Sequence, residues 1–178
     1  MELYPVFLHL RGRPVLLVGG GKVAAAKLAS LLASGARVTV VAPRILASLR
    51  QPGVELRERE FTAADLDDMW WAVAAAPPEI NRAVALAAEE RRVFVNAVDD
   101  TASATAYLGG VLRKGSVTAA ISTAGRAPAL SGLLREALDA LIPEDLESWA
   151  EVAQRLRSHW KAEAVPLPRR RPLLLRAL

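Results

Sequence analysis

Apolar residues in the first hundred positions fall into short dense runs, separated by stretches whose apolar spacing is helical. Pro14-Val15-Leu16-Leu17-Val18 is a run of β-branched residues and leucine that ends in Gly19-Gly20-Gly21, the pattern of a strand buried on both faces. Lys22 to Ser34 is rich in alanine and leucine and reads as a helix, with Gly35 as its C-terminal stop. Arg37-Val38-Thr39-Val40-Val41 is a second strand, closed by Pro43. Val54 to Arg59 alternates apolar and charged residues, as an outer strand does, and Met69 to Ala76 is another buried strand. Asn81 to Arg92 carries Val84, Leu86, Ala87 and Ala88 among charges and reads as a helix, and Val93-Phe94-Val95-Asn96 closes the set. Strands alternating with helices predict an α/β domain over residues 1–104, a doubly wound parallel sheet with helices on both faces.

The pattern changes after Asp100. Tyr107–Arg113 and Ser116–Ser122 are short extended runs joined by Lys114-Gly115, a hairpin signal, so residues 105–127 are expected to form a hairpin and a loop after it. Pro128 sits where a helix begins, and Leu130, Leu133, Leu134, Ala137, Leu138 and Leu141 come after it at helical spacing until Pro143. Leu146, Trp149, Ala150, Ala153 and Leu156 mark a second amphipathic helix reaching about Lys161, giving a helical region over 128–162 and a basic tail over 163–178. These helices need a surface to cover them, either in the same monomer or in a second copy, and the expectation is a dimerisation region.

Composition narrows the chemistry. The chain has 178 residues and no cysteine, which excludes disulfides, thiol nucleophiles, thiolate zinc sites and iron–sulfur clusters. His9 and His159 lie far apart in sequence, so no resident metal site is expected, and both read as structural or solvated. No apolar run approaches the roughly 20 residues that span a bilayer, and the opening residues lack a signal-peptide pattern; a soluble, cytoplasmic protein without a membrane partner is expected. The net charge of +4 resides in the segment from Val165 onward, where Arg169, Arg170, Arg171 and Arg176 face no acid; the remainder holds 19 basic and 19 acidic residues. With no aromatic among those arginines, nucleic acid is not expected as a partner.

Val18-Gly19-Gly20-Gly21-Lys22-Val23-Ala24 fits the dinucleotide fingerprint of a Rossmann-like fold, with Gly19, Gly21 and Ala24 at its three small positions. The first glycine permits the tight turn, the second lets backbone approach a pyrophosphate, and the third small residue lets helix and sheet pack closely. Amides at the helix start then hold the anion. The next strand ends in Val41-Ala42-Pro43-Arg44, with no acid for ribose hydroxyls; Arg44 suits a 2′-phosphate or is simply solvated. Asn96-Ala97-Val98-Asp99-Asp100 lies past another strand end, where a carboxylate can act as general base or merely cap the next turn of chain. Ser122-Thr123-Ala124-Gly125-Arg126-Ala127-Pro128 offers hydroxyls, amides and a guanidinium to an anion, or ordinary capping for the helix after it.

Taken together these pieces resemble the precorrin-2 dehydrogenase/sirohydrochlorin ferrochelatase family, the N-terminal module of siroheme synthase. The resemblance runs from Leu3-Tyr4-Pro5-Val6-Phe7 to about Trp160 and includes Lys27, Asn81 and Leu134-Arg135 besides the motifs above. It implies NAD-dependent oxidation of precorrin-2 to sirohydrochlorin, followed in some members by insertion of ferrous iron as a second substrate. It implies NAD contacts at Lys22, Val23, Pro43 and Arg44, and a homodimer with interlocked C-terminal parts. Asp99 matches the catalytic aspartate, and Thr123 a position near the tetrapyrrole. For a polycarboxylate substrate, Arg113, Lys114 and Arg126 are the candidate cations. Ala124 stands where glycine is usual, and Ala76-Pro77-Pro78 where threonine and acidic or amide residues are common. A reading from another class, a non-catalytic NAD(H)-sensing module, would need the glycine turn but neither Asp99 nor the 122–128 loop.

Overall fold

The computed structural model describes residues 2–178, which divide into two compact units, one ending at Leu108 and the other spanning Gly109–Leu178. In the first unit, β1 (Pro14–Val18), β2 (Arg37–Val41), β3 (Glu55–Arg57), β4 (Trp71–Ala74) and β5 (Phe94–Ala97) form one sheet in the order β3-β2-β1-β4-β5. Every neighbouring pair is parallel, with Leu17 opposite Val40 on one side and Val73 on the other. Helix α1 (Lys22–Ala33) connects β1 to β2, and α2 (Pro78–Arg91) connects β4 to β5.

The runs that predicted strands are apolar on both faces because both faces are covered. Val15 and Leu17 point into a core with Leu28, Leu31, Val38 and Val40, while Leu16 and Val18 point into another with Ala72, Val84, Ala88 and Val95. Alternate residues of β1 thus serve opposite layers, and the doubly wound α/β architecture is borne out. The predicted stop of α1 is a two-bond cap. Gly35, at φ +75°, donates to the Leu32 carbonyl, and Ala36 donates to that of Leu31.

At the sheet edge, Asp65 is 1% exposed and ties β3 to the turn beyond it. It accepts from Arg57 at 2.7 Å, from Arg59 at 2.7 Å and from the Thr62 amide at 2.9 Å. Burial pushes its carboxyl up, but the hydrogen bonds from Arg59, Thr62 and Arg57 outweigh that and hold it well below the usual carboxylate range.

The first unit extends past the expected boundary at 104. Thr105 and Ala106 both donate to the Val95 carbonyl, and the Thr105 hydroxyl accepts from the Val95 amide at 2.8 Å. These bonds attach the segment to β5.

In the second unit, β6 (Gly110–Lys114) and β7 (Val117–Ile121) pair antiparallel, with α3 (Pro128–Leu141) packed on the hairpin and α4 (Leu146–Ala162) after it. Trp160 is buried and Trp149 half-buried. Where the sequence predicts a basic tail, the structure has another helix. Leu167–Ala177 forms α5, with Pro168 in its first turn and Pro172 inside it, and the Arg170 guanidinium donates to the Val165 carbonyl at 2.9 Å.

Candidate functional site

Within the first unit, four strand ends on one edge of the sheet carry the residues singled out by sequence. The three glycines after β1 have different reasons to be glycine. Gly19 lies at φ +133°, and a Cβ there would sit 2.3 Å from the Ala75 carbonyl oxygen; one on Gly20 would sit 1.8 Å from that of Arg44. Both are required by the chain's own packing. Gly21 is not: its φ of −94° suits any residue, and a Cβ there would meet nothing within 4 Å. Its vacancy leaves backbone accessible where the fingerprint brings a pyrophosphate.

Helix α1 then begins with no side-chain cap and no acid in its first turn. Ala25 makes the first helical bond, donating to Gly21 at 3.0 Å, so the amides of Lys22, Val23 and Ala24 precede any intrahelical partner. Ala24 is fully buried against the sheet, while Lys22 and Val23 are exposed. These residues fit a dinucleotide: an open backbone turn, unpartnered amides and a helix dipole with nothing of its own to neutralise it. After β2, Pro43 and Arg44 are exposed, and the Arg44 side chain makes no hydrogen bond among the described residues.

The ends of β4 and β5 are joined through one side chain. Asn81, 2% exposed in α2, accepts from the Ala76 amide at 3.1 Å and donates to the Val98 carbonyl at 3.5 Å. The Val98 amide in turn donates to Ala74 at 2.8 Å. The resemblance contains Asn81 but gives it no task; a polar residue in register with buried Val84 and Ala88 is the signal that could have found it. Pro77 and Pro78, which depart from the family pattern, are the N-cap and first residue of α2, where a missing amide hydrogen is harmless.

The structure separates the two aspartates that sequence leaves level. Asp100 is the cap: its carboxylate accepts from the Ser103 amide at 3.2 Å, and Ser103 hydrogen bonding lowers its pKa. Asp99 is exposed, holds a left-handed φ of +57°, and has no side-chain partner among the described residues. Aspartate tolerates this conformation in turns, and Asp99 lies in the turn that leaves β5.

In the second unit, Thr123 organises the loop before α3. Its hydroxyl accepts from the Ala127 amide at 3.1 Å and from the buried Ser131 hydroxyl at 3.2 Å. Ala124 sits at φ +53°, so alanine here occupies a conformation glycine adopts without strain. Arg113 and Arg126 are exposed, with no side-chain partner among the described residues. Lys114 differs from its expected role. Its ammonium binds the Asp139 and Ile142 carbonyls at 2.9 and 2.7 Å and Glu144 at 2.8 Å, anchoring the end of α3 to the hairpin. The Glu144 hydrogen bond raises its pKa, and the lysine has no donor to spare for a substrate. His9 is exposed, His159 pairs with Glu163 at 3.2 Å, and no metal-binding group of three or more occurs among the described residues. No described helix is long and apolar enough to cross a membrane.

The parallel sheet and the glycine turn at its edge define a dinucleotide-binding module. Residues 6–110 match the model of a family described as putative NAD(P)-binding, and the chain belongs to that family. Over 96% of its length it is 40% identical to siroheme synthase 3 of Aeromonas hydrophila and 38% identical to the siroheme synthase of Photorhabdus laumondii. It spans only 38% and 37% of those two relatives. Among solved structures it is similar to "SirC, precorrin-2 dehydrogenase", at 25% identity and a TM-score of 0.76, covering 99% of this chain and 89% of that one. The resemblance to the precorrin-2 dehydrogenase/sirohydrochlorin ferrochelatase family is borne out, and with it a nicotinamide cofactor.

Proposed function

We propose that the chain oxidises precorrin-2 to sirohydrochlorin with NAD. One observation carries this reading: the open turn at Gly21 and the unpartnered carboxylate of Asp99 end strands of the same sheet edge. The substrate is taken from the relatives, which include siroheme synthases and a protein named as a precorrin-2 dehydrogenase. A sensing module would need neither the unpartnered Asp99 carboxylate nor the 122–128 loop.

In this mechanism the first turn of α1 binds the pyrophosphate through the amides of Lys22, Val23 and Ala24, with Pro43 and Arg44 beside the adenosine. The nicotinamide, when bound, accepts the hydride. Removing a hydride from precorrin-2 also releases a proton, and Asp99 Oδ takes it. Its exposure and lack of an internal partner leave both oxygens able to accept. Asp100, already engaged with Ser103, holds the loop. Arg113 and Arg126 bind substrate carboxylates, and Thr123 shapes the loop that carries Arg126. Where ferrous iron is inserted afterwards, two protons leave the pyrrole nitrogens, and Asp99, having first released the proton of the oxidation to water, passes them to solvent one at a time. The second unit pairs with its counterpart in a second copy, covering the leucine face of α3.

The decisive experiment supplies precorrin-2 with NAD or NADP and tracks NAD(P)H and sirohydrochlorin absorbance. NAD turnover is expected. Asp99→Ala should lower it about 100-fold or more, the usual range for losing a general base, with NAD affinity nearly unchanged. Asp100→Ala should do much less. Gly21→Asp should abolish NAD binding in a folded protein, because a carboxylate would meet the pyrophosphate with like charge. Absence of turnover in the unaltered protein would return the sensing reading, and preference for NADP would assign Arg44 to a 2′-phosphate.

A further inference from the structure

The opposite edge of the same sheet holds a cleft that the proposed reaction does not use. It has a volume of about 690 Å³, within the range of small-molecule sites, and opens where β4 and β5 begin, at Trp71 and Phe94. Strands of a parallel sheet all run one way, so this cleft and the dinucleotide edge are at opposite poles of the first unit.

Its lining combines aromatic surface with uncompensated positive charge. Trp70 is 55% exposed and Phe94 60% exposed, an unfavourable amount of aromatic area to leave in water on one small patch. The Arg13 guanidinium lies 3.7 Å from the centre of the Trp70 ring, and the Trp70 amide is fixed by the Pro14 carbonyl at 3.0 Å. Arg91 is paired with Asp67 at 2.8 Å, and Asp68 is the one acid among the described lining residues.

Arg92 is the most telling residue. It caps α2 at φ +58°, a conformation for which glycine is the favoured residue, and its guanidinium makes no hydrogen bond or ion pair among the described residues. The fold gains nothing from arginine there, yet the side chain lines the cleft beside Phe94.

We propose that this cleft is a second binding site, for a planar aromatic anion. The ring stacks on Trp70 and Phe94, and its carboxylate or phosphate is held by Arg13 and Arg92. A nucleoside monophosphate and a porphyrin carboxylate share that chemistry. The inference rests on the first unit alone and does not depend on the proposed oxidation.

The test uses the full chain saturated with NAD, which occupies the dinucleotide edge, and titrates adenosine monophosphate and uroporphyrin separately by calorimetry. At least one should bind in a step with a dissociation constant of about 10–100 μM. Trp70→Ala and Arg92→Gly should each weaken that step about tenfold or more, with NAD affinity unchanged. Glycine suits the backbone at 92, so the second variant remains folded even if the first does not. Loss of the step for the nucleotide identifies a nucleotide site, and loss for uroporphyrin a tetrapyrrole site. The proposal is overturned if neither ligand binds, or if all binding is indifferent to the substitution in folded Arg92→Gly.

Discussion

The two units treat leucine in opposite ways. In the first, α1 buries Ala24, Leu28 and Leu31 against a sheet whose central strands are nearly inaccessible. In the second, the buried residue of α3 is Ser131, while Leu133 is 62% and Leu141 78% exposed. Both helices are amphipathic, so the difference lies in what is available to cover them. The Rossmann-like unit closes its own core on both faces of the sheet. The hairpin-and-helix unit has a two-stranded sheet, which covers one side of α3 and touches α4. Amphipathic patterning thus reports that a face must be covered, not whether the same chain covers it.

The contrast can be tested by substitution, beginning with the largest expected effect. Leu17→Ala, in the fully buried central strand, should cost about 2–5 kcal/mol in a urea melt without altering oligomeric state. Leu133→Lys with Leu141→Lys should convert the proposed dimer to monomer in sedimentation, raising its dissociation constant about 100-fold, while melting of the first unit is unchanged. A monomeric unsubstituted protein would break the comparison at once.

Asp65→Asn should destabilise the first unit by about 2 kcal/mol, less than for a fully buried pair because its arginines are partly in water. Since the folded pKa of Asp65 lies below the unfolded value near 3.8, its contribution is complete above that value and is lost as pH falls toward the folded one. The variant should therefore show a flatter acid limb than the unsubstituted protein. Ala124→Gly is the smallest change. Relieving the left-handed alanine should stabilise the second unit by about 1 kcal/mol in thermal melts.

What is legible in the sequence depends on the range of the interactions. The glycine turn, the Gly35 cap and the alternation of strands with helices depend on neighbours within a few positions, and all are readable. Lys114 differs from expectation because its partners Asp139, Ile142 and Glu144 lie 25 or more positions away, and a lysine in a hairpin turn looks the same whether solvated or bound. Helix α5 is hidden by two prolines and an arginine run, since proline opposes helix on local propensity. Asp99 and Asp100 have the same chemistry, so residue type alone leaves them level; the family resemblance points to Asp99, and the Ser103 bond on Asp100 adds a physical difference between them. The cleft at the far edge is invisible in the sequence because Arg13, Trp70 and Arg92 come from three separate loops.

Asn81 gives the proposed base an anchorage outside its own loop. Because its amide clasps Ala76 on one side and Val98 on the other, the backbone leading into Asp99 is braced from α2. The main chain leading to Asp99 is thus placed before a ligand arrives, and what remains to be ordered when substrate binds is the side chain itself. It also means that the loop beyond Asp99 can drift in sequence and length without dragging the carboxylate along, whereas one amide group in a neighbouring helix has no such latitude.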